Sequence, residues 1–95
     1  MNFDWDEEKN EENIGKHGLD FHDAWEVFAF PRLELLDERR DYGEARVICI
    51  GILSAYIVTL IYTQRENDTI RLISLRRARR NERREFIKYL KTVAD

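Results

Sequence analysis

The chain has 95 residues, of which 16 are basic and 19 acidic, for a formal net charge of −3. Hydrophobic residues make up 43%, too many for a disordered chain, and 4 Gly with 1 Pro exclude collagen-like or low-complexity sequence. One cysteine, Cys49, excludes an internal disulfide framework and a cysteine-based zinc site and suits a reducing cytoplasm, while the length predicts a single domain over 1–95.

The acidic opening from Met1 to Glu8 lacks the basic start and apolar run of an export signal, which adds to the expectation of a cytoplasmic protein. Phe3-Asp4-Trp5 reads as a short edge strand or lead-in. Asp6 is placed to cap a helix over 7–16, with Glu7 and Glu8 in its first turn and Gly18 to end it. Asp20 caps a second helix over 21–29, in which Phe21, Ala24, Trp25 and Phe28 share one face and which Pro31 stops. Leu33 and Leu35 suggest a short strand, followed by a charged loop from Asp37 to Glu44.

Residues 47–64 carry no charge, near the lower limit of length for a membrane span. Ile, Val, Tyr and Thr dominate them and Gly51 and Ser54-Ala55 interrupt them, so two central strands over 46–53 and 56–63 fit better. Their join lacks the Gly expected of a tight hairpin. Gln64 to Thr69, with Asn67-Asp68, is a turn. Ile70 to Leu75 is a strand with Arg71, Ile73 and Leu75 on one face and Ile70, Leu72 and Ser74 on the other. A last helix covers 78–92, with Glu82, Phe86, Tyr89, Leu90 and Val93 along one stripe. The expected order is βααββββα, an α+β fold with a four-stranded antiparallel sheet packed by helices on one face.

Charge is divided along the chain. Residues 1–44 hold 14 acidic and 5 basic groups, whereas residues 65–91 hold 10 basic groups and 4 acidic ones. Most of the later cations are Arg, whose planar fork of donors suits phosphate or carboxylate. Arg76, Arg77, Arg79 and Arg80 surround the start of the last helix, where the dipole favours acidic side chains. That local conflict points to an anion ligand, with phosphate the first candidate and a carboxylate-rich partner the alternative.

Several segments together resemble the BrnT family. They are Phe3-Asp4-Trp5-Asp6-x-x-Lys9, Asn13-x-x-Lys16-His17-Gly18-Leu19-x-Phe21-x-x-Ala24, Tyr62-Thr63-x-Arg65, and Ile70-Arg71-Leu72-Ile73-Ser74-x-Arg76-Arg77-Ala78 followed by Glu82-Arg83. The resemblance implies a RelE-like fold and an endoribonuclease toxin of a bacterial type II toxin–antitoxin module that arrests translation. It also implies a BrnA-type antitoxin with a ribbon-helix-helix domain, and operator DNA bound only through the complex.

Metal-independent RNA cleavage needs a base for the 2′-OH, an acid for the leaving 5′-oxygen and cations for the pentavalent phosphorane. The scattered carboxylates show no metal-ligand spacing, so neither a metal nor another cofactor is expected. Arg65, Arg71 and Arg76 are the leading catalytic candidates, and His17 is the candidate for proton transfer because imidazole titrates near neutral pH. Lys16, Arg46, Arg77, Arg79 and Arg80 are candidate RNA contacts. The competing reading is a non-catalytic binding module whose Arg patch docks an antitoxin or RNA and acts mainly in operator autorepression.

Overall fold

The structure, a computed structural model, describes residues 1–94. In chain order it has β1 (Asn2–Asp4), α1 (Glu7–His17), a 3-10 turn (Phe21–Asp23), α2 (Trp25–Phe28), β2 (Leu33–Leu36), β3 (Val47–Leu53), β4 (Tyr56–Arg65), β5 (Thr69–Arg77) and α3 (Arg80–Ala94). The sheet has five strands in the order β1-β5-β4-β3-β2. β2 to β5 form the expected antiparallel meander. The four-stranded expectation fails at the amino terminus: β1 joins as a fifth strand, parallel to β5, with Phe3 opposite Ile70 and Asp4 opposite Arg71.

α1 starts and stops for the reasons its sequence suggests. The Asp6 side chain accepts from the Glu8 N–H at 2.9 Å, and Gly18, at φ 67°, donates its N–H to the Ile14 carbonyl. The expected helix over 21–29 is instead broken. Ala24 donates to the Phe21 carbonyl, and Val27 to that of Ala24, in tightened three-residue turns. Meanwhile the Phe21 N–H is taken by the Asn10 side chain at 2.8 Å. Trp25 consequently lies exposed, not on the buried face.

Both strand joins are tight. Leu53 pairs with Tyr56 across Ser54-Ala55, and Ser54 supplies the positive φ, 56°, that a glycine usually supplies. Arg65 pairs with Thr69 across a turn in which Asn67 and Asp68 both take positive φ. The face assignment along β5 needs correction. Ser74 pairs with Ile61 but Leu72 pairs with Tyr62, so Ile73 is the extra residue of a β-bulge. The bulge reverses the alternation, and Leu75 joins Ile70 and Leu72 in one core.

Helices cover both faces of the sheet, not one. The 3-10 turn and α2 close a core of Leu19, Phe21, Ala24, Val27, Cys49, Leu60, Tyr62, Leu72 and Leu75. Gly51 permits this approach, because a Cβ there would stand 2.9 Å from Val27 Cγ1. α3 lies on the opposite face, where Phe86, Tyr89 and Leu90 pack with Ile50, Ile52 and Ile57. It begins two residues later than expected, since the Ala78 N–H still bonds the Ile57 carbonyl of β4. Val93 falls on the exposed side. α1 runs beside β5, and buried Asn13 joins the two. Its amide donates to the Leu19 carbonyl at 3.0 Å, and its oxygen accepts the Leu75 N–H at 3.2 Å.

Candidate nucleic-acid interface

The seam between α1 and β5 carries three adjoining depressions. The first, about 200 Å³, is lined by Asp6, Lys9, Glu44, Arg46, Arg65, Arg71, Leu72 and Ile73. The second, about 240 Å³, shares Lys9 and Ile73 with it and adds Glu12, Asn13, Lys16, His17 and Ser74. The third, about 480 Å³, shares Lys16 and His17 with the second and adds Arg76, Arg77 and Arg79. Cations therefore sit at both ends of one groove. Across the bulge, Arg71 and Arg76 pair with Thr63 and Thr59, which puts them about 13 Å apart along the sheet at the usual rise.

Sheet register builds the first cavity. Asp4, Arg71 and Thr63 lie in one row across β1, β5 and β4. Thr63 donates its hydroxyl to the Ala45 carbonyl at 2.7 Å, which fixes the chain just before β3, where Arg46 stands. Arg65 ends β4 on the same side. Glu44 lies among these cations, 3.3 Å from Arg65 and 3.9 Å from Arg46, while Arg71 pairs with Asp4 at 2.8 Å. The Arg46 guanidinium stacks 4.0 Å over the Tyr42 ring. Its Nε is buried with no hydrogen-bond partner among the described residues.

The other end is arranged differently. Arg76 gives both terminal nitrogens to Glu82, at 2.7 and 2.9 Å. Glu82 also accepts the Arg79 N–H at 2.7 Å and the Thr59 hydroxyl at 3.0 Å. The Arg76 guanidinium, the Arg79 N–H and the Thr59 hydroxyl hold its carboxyl down at about 2. The electrostatic conflict expected at the start of α3 is thus partly met from within the chain. Lys16, His17, Arg77 and Arg79 line the cleft beside this clamp, and Arg77 stacks on Tyr56 with its guanidinium 4.0 Å from the ring.

Of the sequence candidates, Arg46, Arg65 and Arg71 come together in one cavity. His17, Lys16, Arg76, Arg77 and Arg79 meet in the other cleft, so Arg76 is parted from Arg65 and Arg71. Arg80 lines neither and faces outward from α3. Sequence reasoning missed Glu44 and Lys9; the available signal for Glu44 was its place two residues before Arg46 at a strand start. Two other reactive side chains are unsuited to chemistry at the groove. Burial pushes the Cys49 thiol up to about 12, and burial with the Glu34 contact raises the Tyr62 phenol above its ordinary range. Among the described residues, no three His, Cys, Asp or Glu side chains gather where they could hold a metal ion, and no helix is long and apolar enough to cross a membrane.

Residues 5–82 match the profile of the family described as the ribonuclease toxin, BrnT, of type II toxin–antitoxin system. The crystal structure of the Brucella abortus ribonuclease toxin BrnT is similar to this fold, with a TM-score of 0.69 and 30% sequence identity. The match covers 84% of this chain and 99% of that one. Comparison with curated proteins gives no match.

Proposed function

The chain belongs to the BrnT family of ribonuclease toxins of type II toxin–antitoxin systems, and from that premise we propose that it is a metal-independent endoribonuclease acting on RNA in the cytoplasm and arresting translation. The observation that carries this reading is the cavity lined by Arg46, just before β3, Arg65 at the end of β4 and Arg71 of β5, together with Glu44, Asp6 and Lys9. In the proposed reaction the Glu44 carboxylate takes the 2′-OH proton. The 2′-oxygen attacks the adjacent phosphorus, and Arg46, Arg65 and Arg71 donate to the phosphorane oxygens. The bond to the 5′-oxygen breaks, and that oxygen takes its proton from the Lys9 ammonium, leaving a 2′,3′-cyclic phosphate. Lys16, His17, Arg77 and Arg79 hold the flanking nucleotides in the neighbouring cleft, with Arg76 supporting its wall. A BrnA-type antitoxin with a ribbon-helix-helix domain neutralises the enzyme, and the pair binds operator DNA.

The test is induction without antitoxin, followed by growth and total-RNA integrity, beside cleavage by purified protein in excess EDTA. Wild type is expected to stop growth and cut RNA in EDTA; Arg65→Ala and Arg71→Ala are expected to keep the fold and lose both activities. Full toxicity in both variants refutes the site. One observation favours a second reading, a non-catalytic module acting in operator autorepression: Arg71 and Arg76 each already bond a carboxylate. It predicts a stable antitoxin complex and no cleavage with or without divalent ions.

A further inference from the structure

The family profile stops at residue 82, three residues into α3. The rest of that helix is amphipathic in an unusual way. Its inner side, Phe86, Tyr89 and Leu90, is held in the core over β3 and β4. Its outer side carries Arg80, Arg83, Arg84, Lys88 and Lys91, all exposed, around a shallow depression of about 430 Å³ shared with Ile87. Spacings of three and four keep these residues along one side of the helix, and like charges at such spacings weaken it. Helix stability therefore does not account for the stripe. Lys88 has a weak, exposed pairing with Glu85 at 3.8 Å, and Arg83 spends one nitrogen on the Ala78 carbonyl.

We propose that this face of α3 binds the phosphate backbone of single-stranded RNA and extends the groove beyond the cleft of Lys16, His17 and Arg77. The proposal rests on the reading that RNA is the substrate. Arg79 lines that cleft and its chain neighbour Arg80 opens the stripe, so the two cationic surfaces begin at adjacent residues. From Arg80 to Lys91 the helix runs about 17 Å. An acidic protein partner fits less well, because protein interfaces centre on a buried apolar core and this face offers Ile87 alone. Nucleic-acid interfaces are polar and strongly positive.

The test uses an uncleavable 2′-O-methyl oligoribonucleotide, long enough to cover both clefts and the helix, with binding read by fluorescence anisotropy across a range of salt. The variant is the triple Arg84→Gln, Lys88→Gln, Lys91→Gln, which leaves the groove residues and the buried side of α3 intact. Losing three phosphate contacts is expected to flatten the slope of log K against log[salt] by about 2, at about 0.7 per contact. On cleavable RNA, KM is expected to rise with kcat unchanged. An unchanged slope and affinity in the folded triple variant overturns the proposal, as does loss of antitoxin binding with RNA binding intact. If the triple variant fails to fold by circular dichroism, Lys91→Glu in the last turn serves instead, with a slope change of at least about 0.7 expected and no change refuting. The two readings fail separately. A wild-type protein that binds through α3 but never cuts defeats the ribonuclease reading and leaves the surface standing. A triple variant that binds and cuts like an active wild type defeats the surface alone.

Discussion

Replacing Glu82 by Gln removes the charge that grips Arg76 while keeping the shape of the side chain. In the folded protein the carboxylate accepts both Arg76 nitrogens, the Arg79 N–H and the Thr59 hydroxyl. Gln at this third helical position still accepts the Arg79 N–H, so the helix start is retained. The drop from the ordinary 4.5 to about 2 corresponds to about 3 kcal/mol. Glu82 and Arg76 retain 15% and 18% side-chain exposure, and screening by that solvent lowers the expected loss to about 2 kcal/mol. Because the folded carboxyl titrates below its unfolded value, its contribution is complete above about pH 4.5 and disappears as pH falls from there toward about 2. Asp20 and Asp37 are also held low, mainly by the His22 N–H and by the Arg39 guanidinium, but they act equally in both proteins and cancel in the difference. Urea unfolding followed by circular dichroism, from pH 7 down to about 3, measures the gap directly. The expected result is a variant about 2 kcal/mol less stable at pH 7 whose deficit shrinks in acid. A variant as stable as wild type at pH 7, or a deficit that stays constant with pH, refutes the reasoning.

Three further outcomes are expected. Asn13→Leu leaves the Leu75 N–H and the Leu19 carbonyl without their partner in a buried seam, and the loss, about 2–4 kcal/mol, is read from the urea midpoint. Ser54→Gly relieves a side chain held at φ 56° and is expected to raise stability by about 0.5–1 kcal/mol, seen as a Tm several degrees higher. Glu44→Gln keeps RNA binding within a few-fold and lowers the cleavage rate constant about 100- to 10,000-fold, the range for removing a general base; single-turnover kinetics separate the two effects.

Elements marked by caps and turns were legible in the sequence. Asp6 and Gly18 bound α1, and Asn67-Asp68 mark the last hairpin, because each acts on backbone within a few residues of itself. What escaped depends on contacts distant in sequence. Nothing in Leu72-Ile73-Ser74 announces a bulge, since the extra residue is not a Gly, yet it alone decides which face Leu75 and Arg76 occupy. An apolar stripe on the last helix could pack on either face of the sheet, and the opposite face was open only because α2 already filled the first. The cation candidates were readable as types, but not as two groups. Their division comes from β5, which carries Arg71 and Arg76 to opposite ends of the groove. Of the carboxylate partners, Asp4 stands 67 residues from Arg71 and was hidden from sequence spacing, whereas Glu82 lies in the first turn of the last helix among the Arg residues whose charge it offsets.

Those partners decide which Arg can meet a phosphate. Arg71 and Asp4 are 31% and 54% exposed, and Arg65 meets Glu44 at 3.3 Å with more than half its side chain in solvent. Pairs of that kind contribute about 0–1 kcal/mol, so an incoming phosphate takes over the Arg71 and Arg65 guanidiniums at little cost, releasing Asp4 into water while Glu44 stays beside the site. Arg76 is held by two hydrogen bonds to an acid that also caps α3 and bonds Thr59. Freeing it strands a largely covered carboxylate and weakens the helix start in the same step. On the proposed reading, the exchange favours the cavity of Arg46, Arg65 and Arg71 as the place where phosphate is gripped, and leaves Arg76 as the tie that holds the start of α3 to the sheet.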